Sequence, residues 1–153
     1  MGQKSFKNII AMKGIYYKIP IDFAKIMDER DTEKVSIEQS ISQHIFIIVT
    51  TPLGRCKFDD SFGAEIFEVD FDLPKSDNSV KEFIARTVTE SIVKHEQRLL
   101  LEDIEVAVKN TDIGKADRKR VKKKVMVSVK GLVKETDRPF FFQKSFFIGP
   151  LSY

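Results

Sequence analysis

The sequence predicts an α+β fold, with two main helices packed on one face of an antiparallel sheet of at least three strands. Three observations carry this. Apolar residues recur at helical spacing in two separate segments, each preceded by a serine with a capping-box partner three residues on. Beyond Arg98 the period falls to two. Helical and strand segments are segregated along the chain rather than alternating, so consecutive strands pair antiparallel and the helices cover one face. At 153 residues the chain can bury one core, and a second domain is not expected.

Gly14 to Pro20 reads as a short strand or extended arm, aromatic and β-branched until the proline removes a ladder donor. Asp28 to Lys34 is charged and aperiodic, as a solvated connector would be. Residues 1–35 are therefore expected to form an N-terminal arm and connector, residues 36–149 the domain, and 150–153 a C-terminal tail. The first helix opens at Ser36 with Gln39 as its box partner and carries Ile37, Ile41, Ile45 and Ile48; Pro52 and Gly54 end it. After an irregular loop, Ala64 to Phe71 is apolar without a clear period. Leu73 to Asn78 is a turn. A second box, Ser79 with Glu82, precedes Val80, Phe83, Ile84, Val88 and Ile92 on one helical face, and that helix should run to about His95.

Two half-buried strands follow, one through Leu99, Leu101, Ile104, Val106 and Val108, the other through Val125, Val127, Val129 and Val133. The residues between them, from Asn110 through a basic stretch, are expected to form a long hairpin loop. A last strand, Phe140 to Ile148, follows the turn signal Asp137-Arg138-Pro139, is apolar on parts of both faces, and stops at Gly149-Pro150.

Composition excludes several classes. With 42% hydrophobic and 32% charged residues the chain is globular, and 26 basic against 23 acidic residues give a net charge of only +3, weak support for a nucleic-acid partner. Cys56 is the one cysteine and His44 and His95 the two histidines, so neither a disulfide nor a metal site is expected, and a reducing cytoplasm fits best. The apolar run Asn8 to Met12 is too short for a signal-peptide core, and Phe6 spoils a myristoylation context at Gly2. No stretch reaches the roughly 20 apolar residues of a membrane span.

The candidate chemistry is thin. No GxGxxG or GxxxxGK pattern cradles a phosphate, and no cofactor is expected. A reactive Cys56 needs a neighbouring base that the sequence does not supply. His44 beside an apolar stripe and His95 at a helix C-terminus, where a cation is favoured, read as structural. Asp59, Asp60 and Glu65 could offer the facing carboxylates of a glycosidase, although acidic loop residues are common. Lys115, Arg118, Lys119, Arg120, Lys122, Lys123 and Lys124 form the densest charge feature; they suit an acidic or phosphate-bearing partner, or a solvated hairpin tip that resists edge pairing. An RNA-binding strand would place aromatic rings where Lys130 to Lys134 has none.

The order of features resembles a known family. An isoleucine-rich helix leads into Thr50-Thr51-Pro52-Leu53-Gly54-Arg55, then Ser61-Phe62-Gly63, a second helix, Glu96-Gln97-Arg98 and a strand pair. This is similar to the lysozyme-like baseplate wedge family of contractile phage tails and type VI secretion systems, whose secretion member is called TssE. That family has a threonine, a Gly-Glu-Arg turn, a Phe-Gly dipeptide and a Glu-Pro-Arg motif closing the second helix. Here the turn lacks its glutamate, and Gln97 stands in place of the proline. The resemblance covers about three-quarters of the chain, Ser36 to Ile148.

The resemblance implies a structural, non-enzymatic baseplate subunit that binds other wedge proteins and seeds or anchors the sheath, in the cytoplasm or in a phage-like tail particle, docked at the inner membrane in the secretion case. It implies Glu96 and Arg98 as the partner-binding pair, and a last strand through Phe140, Phe142, Lys144 and Phe146 to which a sheath arm could add. A carboxylate ending a helix opposes the macrodipole, so Glu96 is not placed there for helix stability alone; replacing both residues by alanine is expected to leave fold and melting temperature nearly unchanged while wedge partners are lost, ordinary surface charges being the bland alternative. A peptidoglycan-cleaving enzyme and a nucleic-acid-binding module using the basic stretch are the alternatives.

Overall fold

A computed structural model of the chain describes residues 15–28, 30–67, 76–113 and 120–148, with backbone alone over 111–113 and 120–122. The chain divides into two compact units, Met1–Ser40 and Ile41–Tyr153. Of the sequence expectations, Gly14, Val69, Phe71, Leu73 to Lys75, Gly149-Pro150 and the tail lie outside the described residues.

In the first unit, β1 (Tyr16–Tyr17) pairs antiparallel with β2 (Lys34–Val35), Tyr16 opposite Val35. The Lys18 amide extends the pairing to the Glu33 carbonyl at 2.9 Å, and Lys18 Nζ meets the Glu33 carboxylate at 2.8 Å. The expected connector is thus corrected at its end, where Lys34 is drawn into a ladder. A five-residue helix, α1 (Phe23–Met27), capped by Asp22, was not expected. Phe23, Ile26 and Met27 are exposed, so α1 has no buried face to imprint a period on the sequence.

α2 (Ile37–Thr50) begins with the reciprocal cap that the sequence predicts. The Ser36 amide donates to Gln39 Oε1 and the Gln39 amide to Ser36 Oγ, both at 3.3 Å, satisfying donors that no helical carbonyl can reach. Ile41, Ile45, Ile48 and Val49 are buried. α3 (Asp77–His95) starts three residues before the predicted box: Ser76 is the N-cap and accepts from the Ser79 amide at 3.2 Å. Val80, Ile84, Val88 and Ile92 are its buried stripe, with Phe83 half-buried at its margin.

The sheet is a meander, β3 (Leu99–Ile113), β4 (Arg120–Val133) and β5 (Arg138–Ile148), with β4 central. Its covered face carries Leu99 and Val108 from β3, Val125, Val127, Val129 and Val133 from β4, and Phe140, Phe142 and Ile148 from β5, all buried. α3 packs against β3, while α2 reaches β5 through Phe46 stacked on Phe146 at 6.5 Å. The expected long loop is shorter than the sequence suggests, because pairing continues outward to Ile113 opposite Arg120.

One irregularity interrupts β3. Leu101 pairs with Gly131 and Asp103 with Lys130, which leaves Glu102 as the extra residue of a bulge. A Cβ on Gly131 would be driven into the Leu100 carbonyl, so the bulge and the glycine require each other.

Candidate functional site

The second unit gathers its polar chemistry where α2, the end of α3 and the loop between them meet. That loop is pinned at its root. Thr51 caps α2 by donating its hydroxyl to the Ile47 carbonyl at 2.7 Å, and its own carbonyl accepts from the Ala64 amide at 2.9 Å. Gly63 lies at φ +114, and any side chain there would strike the backbone of Thr51 and Pro52. The adjacent Phe62 ring lies beside both histidines, stacked near His44 at 6.0 Å and edge-on to His95 at 5.2 Å. His95 Nε2 donates to the Ser61 carbonyl at 3.0 Å, a bond that fixes the proton on that nitrogen.

Glu96 closes α3 as its C-cap and is only 2% exposed. Its Oε1 accepts from the Arg98 amide at 3.1 Å and Arg98 Nε at 2.8 Å, and its Oε2 from Arg98 Nη2 at 2.6 Å and His44 Nδ1 at 2.8 Å. Burial raises the carboxyl's pKa, but the Arg98 and His44 hydrogen bonds and the Arg98 charge outweigh it and lower the pKa to about 2. The carboxylate is therefore ionised, and His44 must present Nδ1–H to it. Arg98 is partly exposed, and its carbonyl accepts from the Lys134 amide at 2.9 Å, tying the turn after α3 to the β4–β5 connection. The turn closes without a proline, Gln97 standing exposed at its tip.

This geometry corrects the expectation that the Glu96 and Arg98 pair could be removed without cost to stability. An anion so enclosed and so fully hydrogen-bonded belongs to the folded core, and deleting either partner strands the other. Chemically the arrangement holds charge rather than transferring protons. Asp59 is likewise kept below the usual carboxylate range, by hydrogen bonds from the Ser61 hydroxyl and amide. A glycosidase acid needs the opposite shift.

A family model described as baseplate wedge protein gp25 matches residues 35–138. The chain belongs to that family. The match spans α2, the Phe62 loop, α3, the Glu96 turn, β3 and β4, and it stops at the first residue of β5. A crystal structure of a protein from Geobacter sulfurreducens, whose name proposes a tail lysozyme, superposes with a TM-score of 0.58 over 80% of this chain and all of the other, at 20% identity. At that identity the likeness is one of fold. Comparison with curated proteins gives no match.

In this wedge-family chain the other predicted site residues are scattered. Phe140, Phe142, Lys144 and Phe146 share the covered face of edge strand β5; Phe140 and Phe142 are buried, so a strand adding there would meet main chain first. Lys115, Arg118 and Lys119 lie outside the described residues. Arg120 and Lys122 are in β4, paired with Ile113 and Thr111. Lys123 Nζ bonds Asp77 at 3.1 Å, and Lys124 is exposed over the Phe147 ring at 6.0 Å. The sequence does not predict that His44 bonds Glu96 or that Phe62 lies against His44. The Phe-Gly dipeptide was the only sequence signal, and it marked the loop rather than the contact.

Proposed function

We propose that the chain is a non-enzymatic structural subunit of the baseplate in a contractile phage-like tail or type VI secretion system, where it binds other wedge proteins and anchors the sheath. The observation that carries this is the family match across both long helices and two strands of the sheet. In the secretion case the assembly works in the cytoplasm, docked at the inner membrane. Within the described residues no helix is long and apolar enough to cross a membrane.

Arg98 is the side chain we assign to the wedge contact, with Glu96 orienting it. A side-on fork to a buried carboxylate fixes the guanidinium plane at a partly exposed position, and a planar guanidinium so held suits recognition of a neighbouring protein. Among the described residues β5 is the last strand of the β3-β4-β5 order, an edge position that supports strand addition by a sheath arm. The test is co-purification of neighbouring baseplate and sheath proteins with tagged wild type and with Arg98→Lys, which keeps the charge but not the fork. Loss of wedge partners from a variant with normal secondary structure is expected; full recovery moves the contact elsewhere. The neighbour's lysozyme name supports an enzymatic alternative. Clearing of a cell-wall suspension by the purified chain would overturn the non-enzymatic reading.

A further inference from the structure

The face of the sheet turned away from the helices is ordered in rows by the strand register. Near the bulge, Leu100 stands opposite Leu132, and Phe141 lies one row on, opposite Lys130. In the middle rows charge is neutralised: Lys130 Nζ reaches Glu105 at 2.9 Å and Asp103 at 4.0 Å, and Gln143 bonds the Ser128 hydroxyl at 3.0 Å. In the row toward the hairpin end, Lys109 is paired directly with Lys124, and Lys124 with Phe147. All three are exposed, and among the described residues no carboxylate meets either lysine. Two like charges opposite each other on adjacent strands destabilise the sheet they sit on, whereas the same face two rows away shows how readily acidic partners can be provided.

Unneutralised cations beside exposed Phe147, on a face that also exposes Phe141 and Leu100, identify what would cover it. A single-stranded nucleic acid would satisfy the lysines and stack on Phe141 and Phe147 but leave Leu100 bare, while an acidic segment with interspersed apolar side chains would satisfy the lysines, the rings and the leucine together. We propose that this open face is a docking surface for an acidic, apolar-bearing protein segment, seated on Lys109, Lys124 and Phe147. The proposal stands apart from the Arg98 contact, which lies at the turn after α3, so either can fail alone.

The probe is a short synthetic peptide alternating Glu with Leu, measured by fluorescence anisotropy against the purified full chain at several salt concentrations, beside a single-stranded oligonucleotide. Binding of the peptide that weakens with salt is expected, reduced about tenfold or more by Lys109→Gln with Lys124→Gln, and reduced also by Phe147→Ser. Lys130→Gln, at a lysine already engaged, should change little. Lys109→Glu supplies the missing carboxylate from within, so it should raise the melting temperature while lowering peptide affinity. That opposition separates a surface kept for a partner from a merely solvated one. Absence of peptide binding, affinity unchanged in the double variant, or tighter binding of the oligonucleotide than of the peptide would each overturn the proposal.

Discussion

Each long helix is started by one serine hydroxyl, Ser36 for α2 and Ser76 for α3, accepting from an amide three residues on at 3.3 and 3.2 Å. Ser36→Ala and Ser76→Ala are each expected to cost about 0.5–2 kcal/mol in denaturant titration, and Ser79→Ala less than either, because its amide remains to be capped. Equal losses at Ser76 and Ser79 would restore the start of α3 to the later serine. Ser36 was legible because its partner Gln39 completes a recognised box, while Ser76 has Ser79 at that distance and the rule favours the later Ser79 with Glu82. The burial of Glu96 is not legible in the sequence for a different reason. Its surroundings come from His44, 52 residues earlier, and a pairing at that separation leaves no mark in a single sequence.

At the scale of elements, α2, α3 and the three strands were legible because each buries one face at a fixed period. The extent of the hairpin was not. Asn110 to Ile113 and Arg120 to Lys124 are mostly polar, yet backbone pairing extends a ladder wherever the partner strand continues. The bulge was written in the sequence as a slip of phase, Leu99 and Leu101 followed by Ile104, Val106 and Val108, with three residues where two would keep the period. Without an extra residue, one of those sets would face solvent. Gly131→Ala tests the coupling of bulge and glycine: pressed against the Leu100 carbonyl, the new methyl should cost about 1–3 kcal/mol of stability. A shift in the denaturation midpoint no larger than that of an exposed substitution in the Lys134 to Asp137 turn would mean the register of β3 yields without effort.

Across the second unit, the Glu96 carboxylate is the point where α2, the end of α3 and the turn into β3 converge, and the unit's acid sensitivity should be concentrated there. Its carboxyl titrates near 4.5 when unfolded and at about 2 when folded. A folded pKa below the unfolded one means that the folded state holds the proton less tightly. The stabilisation from ionisation is therefore complete above pH 4.5 and is lost as pH falls from there through about 2. A difference of this size corresponds to stability on the order of 3 kcal/mol. Glu96→Gln keeps the shape but turns an amide NH2 toward donors that need an acceptor, so it should be destabilised by a similar amount at neutral pH. Asp59 and Glu33 also have lowered pKa values, but both are exposed and are present in either protein, so subtracting one pH–stability curve from the other isolates Glu96. The gap between wild type and Glu96→Gln in urea titrations should be widest above pH 5 and should close as the pH approaches 2. Curves that run parallel through that window would show that the carboxylate is no better held in the folded chain than in water, and the assignment of Glu96 as the anchor of Arg98 would fall with it.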